Sequence, residues 1–213
     1  MQELNQERFE ALDIFRGMTI GLMIVVNTPG SWTETFPPLL HAAWHGFTPT
    51  DLVFPSFLFA VGNSLAFSAR KWSFQSKGQI LSKILRRSLI IFTIGFLLYW
   101  FPFFEFGENE LAPLPLSETR IFGVLQRIAL CYLGGALLVY RLNWKQLIAA
   151  AAVLLLTYWG VLHAWGDLTL KGNAARKLDL WLIGPDHMYH GEGIPFDPEG
   201  LLSTLPAIVN VIG

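Results

Sequence analysis

Residues 146–165 read QLIAAAAVLLLTYWGVLHAW, 20 positions with no Asp, Glu, Lys or Arg. A helix rises about 1.5 Å per residue, so this run is about 30 Å long, the thickness of a bilayer's hydrocarbon core. It predicts a transmembrane helix, and similar runs lie on both sides of it. They cover about Ala11–Thr28, Asp51–Ala69, Ser88–Phe106 and Ile121–Leu142, and a last one starts at Leu201 and stops at Gly213, too short to span. The expected fold class is all-α: a polytopic transmembrane helix bundle of about five spans plus a truncated sixth.

Composition agrees. The 213 residues are 53% hydrophobic, 14% aromatic and 15% charged, against about 25% charged in an ordinary soluble domain. The mean hydropathy is +0.44. Fifteen basic and 16 acidic side chains leave a net charge of -1, which offers no basic excess to hold nucleic acid through counterion release. The single Cys131 excludes an internal disulfide and reads as a small apolar packing residue. No Walker phosphate loop, HExxH or GxSxG pattern occurs, which argues against ATPase, zinc-protease and α/β-hydrolase chemistry. There is no convincing repeat and no separate soluble domain. Residues 1–213 read as one transmembrane domain, expected to be incomplete at its carboxyl terminus because the last run stops in mid-span.

Charge orients the helices. The stretch from Arg70 to Arg87 carries Arg70, Lys71, Lys77, Lys83, Arg86 and Arg87 and no acid, whereas Glu105–Glu118 holds four Glu and no base. Basic loops stay in the cytoplasm, so the amino terminus is expected inside and loops 29–50, 105–120 and 166–200 outside. A signal peptide is the rival reading of the first run, but Arg16 interrupts it and Asn27-Thr28-Pro29 is a poor cleavage site.

Polar side chains beside apolar spans are costly and therefore informative. Asp13 and Arg16 share a helix face, as an interfacial ion pair or as a functional pair. The segment NTPGSWTETFPPLLHAAWHGFTPTDLVFP, residues 27–55, is the richest. Its His41 is suited to move a proton near neutral pH. Asn27 can stabilise an oxyanion through its amide, and Asp51 either orients the imidazole or caps the second helix. His41 and His45 also have i, i+4 metal-ligand spacing, with Glu34 or Asp51 as a third donor, but two histidines do not define a site and no metal is expected. Arg120, Gln126 and Arg127 form a third group. Arg127 lies well inside an apolar run, either as an anchor for an anion or paired with a buried acid. The loop before residue 200 holds His187, His190, Asp186 and Asp197; His187 and His190 could bind a metal in principle but read as solvated histidines. Trp32, Trp44 and Trp165 suit either sugar stacking or an interfacial aromatic belt.

The stretch LDIFRGMTIGLMIVVN followed by HAAWHGFTPTDLVFPSFLFAVG, within residues 12–62, closely resembles the catalytic region of the heparan-alpha-glucosaminide N-acetyltransferase family and its bacterial relatives. RIFGVLQRIALCY (120–132), DLWLIGPDHMY (179–189) and FDPEG (196–200) extend the resemblance in order over nearly the whole chain. It implies an integral-membrane enzyme, in a bacterial inner membrane, that takes an acetyl group from acetyl-CoA and places it on a sugar amine or hydroxyl across the bilayer. It also places the active histidine on His41 and its associated Asn on Asn27. Asp51 completes the expected catalytic set, while Arg16, Arg120, Gln126, Arg127 and Trp44 are the candidates for binding acetyl-CoA or the glycan acceptor. Arg86 and Arg87 join Arg16 at the cytoplasmic rim as candidates for the nucleotide phosphates. The expected partners are acetyl-CoA, an amino-sugar or glycan acceptor and the lipid bilayer, with a homodimer compatible with the architecture. The rival readings are a transporter of a small sugar-like or anionic solute, lined by Gln126 and Arg127, and an inactive truncated fragment.

Overall fold

The computed structural model describes residues 10–31, 33–106, 111–191 and 193–213. Trp32 of the sequence reading lies outside them. Each of the five expected runs forms one helix: α1 (Glu10–Asn27), α2 (Val53–Ala69), α3 (Lys77–Trp100), α4 (Val124–Arg141) and α5 (Trp144–Trp165). Two shorter helices follow, α6 (Ala174–Ile183) and α7 (Leu201–Ile212). A two-stranded antiparallel ribbon, β1 (Phe104–Phe106) and β2 (Leu111–Pro113), pairs Glu105 with Ala112 in the segment after α3. The molecule is an all-α membrane bundle with that small ribbon at one end.

Among the described residues three stretches are long and apolar enough to cross a membrane: Pro49–Phe74, Val124–Arg141 and Trp144–Trp165. α1 and α3 fall outside this set because Glu10, Asp13 and Arg16 lie in α1, and Lys77, Lys83, Arg86 and Arg87 in α3. Three features depart from the sequence reading. The third run, expected to reach Phe106, ends as helix at Trp100, and Phe104–Phe106 form β1 instead. α3 begins at Lys77, three turns before Ser88, because Ser76 and Gln79 form a reciprocal capping box, with Ser76 N–H donating to Gln79 Oε1 at 3.0 Å and Gln79 N–H to Ser76 Oγ at 3.3 Å. The expected loop 166–200 contains α6, started by Asn173, whose Oδ1 accepts the Ala175 N–H at 2.8 Å. Ala174 and Ala175 bury against Leu202 of α7 and against Tyr158, Val161 and Leu162 of α5.

α7 is the centre of the packing, touching α2, α4, α5 and α6, while α3 lies along α4 and α1 along α2. The close approaches run over glycine. A Cβ on Gly62 of α2 would stand 2.1 Å from the carbonyl oxygen of Val211 in α7, and one on Gly135 of α4 would stand 2.6 Å from Val211 Cγ1. Without a hydrophobic driving force between helices in lipid, contact of this kind supplies the dispersion that holds helices together. Leu58, Leu65, Ile80, Ile84, Ile128, Cys131, Ala136, Ala207 and Val211 fill the surrounding core.

Asp179 of α6 fixes where α7 starts. Its Oδ1 accepts the Leu201 N–H at 3.0 Å, satisfying one of the orphan donors of that helix. The residue is fully buried, and Oδ2 has no described hydrogen-bond partner. Burial raises its pKa to about 6, with nearby Asp197 adding to the rise and the Leu201 N–H and Arg127 opposing it.

Three outcomes follow from this packing. Gly62→Ala places a methyl against the Val211 backbone and should destabilise the protein by about 1–3 kcal/mol, the cost of an overpacked contact. Gly160→Ala, where a Cβ meets nothing within 4 Å, should leave the melting temperature in detergent unchanged or raise it. Asp179 titrates above its unfolded value of about 3.9, so the folded chain binds the proton more tightly and stability falls as pH rises from about 4 to about 6. Asp179→Asn keeps an acceptor for Leu201 and removes the titration. Its Tm should exceed wild type at pH 7.5, and the gap should narrow toward pH 4.5; a gap independent of pH would refute the attribution.

Candidate functional site

The segment between α1 and α2 is built from two short turns, Pro37–Leu39 and Pro49–Leu52, each opened by a proline whose fixed φ suits a first helical position. Asp51 is their organiser. Its Oδ2 accepts the Thr48 N–H at 2.8 Å and lies 3.1 Å from the Thr48 hydroxyl and 3.4 Å from the Ala42 N–H. The Thr48 hydroxyl also lies 2.7 Å from the Leu40 carbonyl, and Thr50 Oγ1 donates to the Pro38 carbonyl at 3.1 Å. This folds residues 38–51 back on themselves and leaves Asp51 Oδ1 against His41 Nδ1 at 2.7 Å.

An ionised carboxylate only accepts, so Nδ1 donates to Asp51, and in the neutral form of the ring Nε2 is the nitrogen that carries the lone pair. The His41 side chain is 62% exposed and that of Asp51 26%. The imidazole is therefore the more accessible partner and its acid the more sheltered one. Asp51 contacts the imidazole and closes the capping box of the Pro49–Leu52 turn with Thr48, whereas the residue at the cap of α2 itself is Leu52.

Asn27 closes α1, but its Nδ2 donates to the Met23 carbonyl at 2.8 Å one turn back. Among the described residues no hydrogen bond joins Asn27 to His41. Trp44 reaches across to the later loops: its Nε1 donates to the Leu168 carbonyl at 2.6 Å, and its ring stands edge-on to Phe196 with centroids 5.1 Å apart. Arg16 faces Asp13 at 3.8 Å with both side chains well exposed.

A second polar cluster lies where α3, α4 and α7 meet at this end. Arg120 Nε and Nη2 fork onto Asp197 at 3.3 and 2.5 Å, Nη2 also reaches Glu199 Oε2 at 2.6 Å, and Nη1 donates to the Tyr99 hydroxyl at 3.2 Å. The guanidinium lies 5.2 Å from the ring centroid of Tyr99 and 4.8 Å from that of Tyr189, a cation–π arrangement on both. Its two carboxylates hold Arg120 protonated, with a pKa above the ordinary value despite burial. Asp197 is buried. His187 is likewise tied down, Nδ1 lying 2.8 Å from the Thr119 carbonyl.

Among the described residues Arg127 pairs with no acid: Nη2 donates to the Ser203 hydroxyl and, at 3.2 Å, to the Gly200 carbonyl at the start of α7. Its Nε and both ends of the fully buried Gln126 amide have no described hydrogen-bond partner. Gln126 packs on Gly95 of α3, where a Cβ would come within 2.6 Å of its Oε1. The structure thus joins His41 to Asp51 and Arg120 to Asp197. The sequence reading missed Glu199, Tyr99 and Asp179; the FDPEG and DLWLIGPDHMY stretches were the signal that could have pointed to the first and last of these.

Against this geometry stand the comparisons with known proteins. The chain is similar to the heparan-alpha-glucosaminide N-acetyltransferases of Homo sapiens and Mus musculus, 30% identical to each over 254 aligned positions covering 95% of the chain. It spans 37% of the length of each. The family model described as heparan-alpha-glucosaminide N-acetyltransferase, catalytic, matches residues 8–179, a range that contains the His41–Asp51 pair, Trp44, Arg120 and Arg127. The chain therefore belongs to the heparan-alpha-glucosaminide N-acetyltransferase catalytic family.

Proposed function

We propose that this chain supplies the catalytic end of an integral-membrane acyltransferase that moves an acetyl group from acetyl-CoA to a sugar amine or hydroxyl. The His41–Asp51 contact carries the reading: an imidazole held by a carboxylate through Nδ1, with its side chain 62% exposed. In this mechanism Nε2 takes the proton from the attacking amine or hydroxyl as its lone pair closes on the thioester carbonyl. The carbonyl π electrons move to oxygen, and collapse of that oxyanion expels the CoA thiolate, which takes its proton back from the imidazolium. Asp51 stabilises the imidazolium and fixes the tautomer, as the carboxylate does in a nucleophile–His–Asp triad. Asn27 retains one amide proton beyond the Met23 contact and is the candidate donor to the oxyanion.

The proposed orientation puts the amino terminus and the basic segment 70–87 in the cytoplasm and His41 on the opposite side. CoA then approaches from the basic end, with Arg16 as a candidate for its phosphates, and the acetyl group must cross between helices to reach His41. Trp44, bound to Leu168 and Phe196, forms the wall of the acceptor site in this reading, and the acceptor belongs to the amino-sugar class.

His41→Ala should lower acetyl-CoA-dependent transfer to glucosamine by about 10²–10⁴-fold, the usual contribution of a general base, and leave the melting temperature near wild type because the side chain is mostly exposed. Asp51→Asn should lower kcat and also destabilise the 38–51 segment, since the carboxamide cannot accept every bond the carboxylate holds. Transfer at the wild-type rate by His41→Ala would refute the reading. Labelled acetyl trapped on wild-type protein but not on His41→Ala would replace the direct route with an acetyl-imidazole intermediate.

A further inference from the structure

The uncharged part of α3 runs from Ser88 to Trp100, 13 residues. At about 1.5 Å each that is about 20 Å, short of a hydrocarbon core of about 30 Å. Lys83, Arg86 and Arg87 therefore stand at or below the boundary of the bilayer at the basic end. They are spaced i, i+3, i+4 and share one helix face with Ile90 and Ile91. These five residues line a cleft of about 410 Å³. The Arg87 guanidinium lies 4.8 Å from the ring centroid of Tyr132 in α4, and Lys83 Nζ donates to Gln75 Oε1 at 2.7 Å. Among the described residues no carboxylate pairs with any of the three cations. Neighbouring like charges repel, and these three exposed cations gather on one face with no described carboxylate beside them. The cleft calls for an anion.

The helix above the cleft says which kind. Arg86, Ile90, Ile94 and Leu98 recur every fourth residue, so they form one stripe along α3. Ile90, Ile94 and Leu98 are 47%, 49% and 64% exposed. From Ile90 to Leu98 the stripe is about 12 Å long, comparable to the roughly 15 Å of hydrocarbon in one leaflet. Helical side chains lean toward the helix amino terminus, so the three cationic heads reach back toward the headgroup layer while the stripe rises into the acyl layer. A soluble anion would fill the cleft and leave the stripe unused.

We propose that this cleft binds the phosphate of an anionic phospholipid, with one acyl chain laid along Ile90, Ile94 and Leu98. A zwitterionic lipid carries the same phosphate together with its own cation, which cancels much of the attraction to three basic groups. The site does not rest on the acyl-transfer reading, and it gives to a lipid phosphate Arg86 and Arg87, which the sequence reading had offered to the CoA phosphates.

The test measures the melting temperature of the detergent-purified protein with phosphatidylglycerol, phosphatidylcholine or coenzyme A added at equal concentration. Phosphatidylglycerol should raise Tm by several degrees and phosphatidylcholine should not. Lys83→Gln/Arg86→Gln should lose that rise while keeping its own detergent Tm, and Ile94→Ser should reduce it by shortening the acyl stripe. Native mass spectrometry of the single variant Lys83→Gln gives a second readout, with fewer phosphatidylglycerol molecules retained per chain than in wild type. Equal shifts with both lipids, or an undiminished phosphatidylglycerol shift in the double variant, would overturn the proposal. So would a coenzyme A shift that the double variant abolishes while the lipid shift survives, since the cleft would then belong to the acyl donor.

Discussion

Val211 meets Gly62 of α2 and Gly135 of α4 at distances that admit no side chain on either glycine, and the rest of the bundle is arranged around that approach. α7 is only 12 residues long, yet it is the helix on which α2, α4, α5 and α6 converge. Seating its backbone against theirs fixes its height, and with it the position of the residues that precede it. Those residues are polar. Asp197, Glu199 and Gly200 meet Arg120, Arg127 and Asp179 at one end of the molecule. Close packing in the apolar part of the bundle thus decides which charges meet outside it.

The polar contacts at that end divide into two kinds. Arg120 is an internal clamp, four of its N–H groups engaged by Asp197, Glu199 and Tyr99. A guanidinium this enclosed would be costly without its acids, and the acids would be costlier without it. Asp51 is the opposite case: it is fastened to backbone N–H groups on one oxygen and lends the other to an exposed imidazole. The first arrangement uses charge to hold loops to helices. The second uses backbone to hold charge at a working surface.

How much of this could be read in advance depended on range. The five long helices follow from apolar run length, a local property. α6 did not, because ARKLDLWL mixes Arg176, Lys177 and Asp179 with its apolar positions over only 10 residues, below the length at which periodicity separates a helix from a polar loop. His41 and Asp51 are ten residues apart, close enough for the two proline-led turns to bring them together, and the sequence reading already allowed that role. Arg120 and Asp197 are 77 apart, and nothing local announces their meeting. Asn27 shows a different limit. A carboxamide at a helix end can bond the carbonyl four residues back, and only the fold shows that it does.

The bond from Trp44 to the Leu168 carbonyl joins points 124 residues apart. A ribosome adding roughly 5–20 residues per second needs about 6–25 s to traverse that distance. For that interval the segment bearing His41 and Asp51 has left the ribosome while its aromatic tether has nothing to hold. Maturation of the imidazole's surroundings is therefore a late event in biosynthesis, waiting on the membrane insertion of helices made after it.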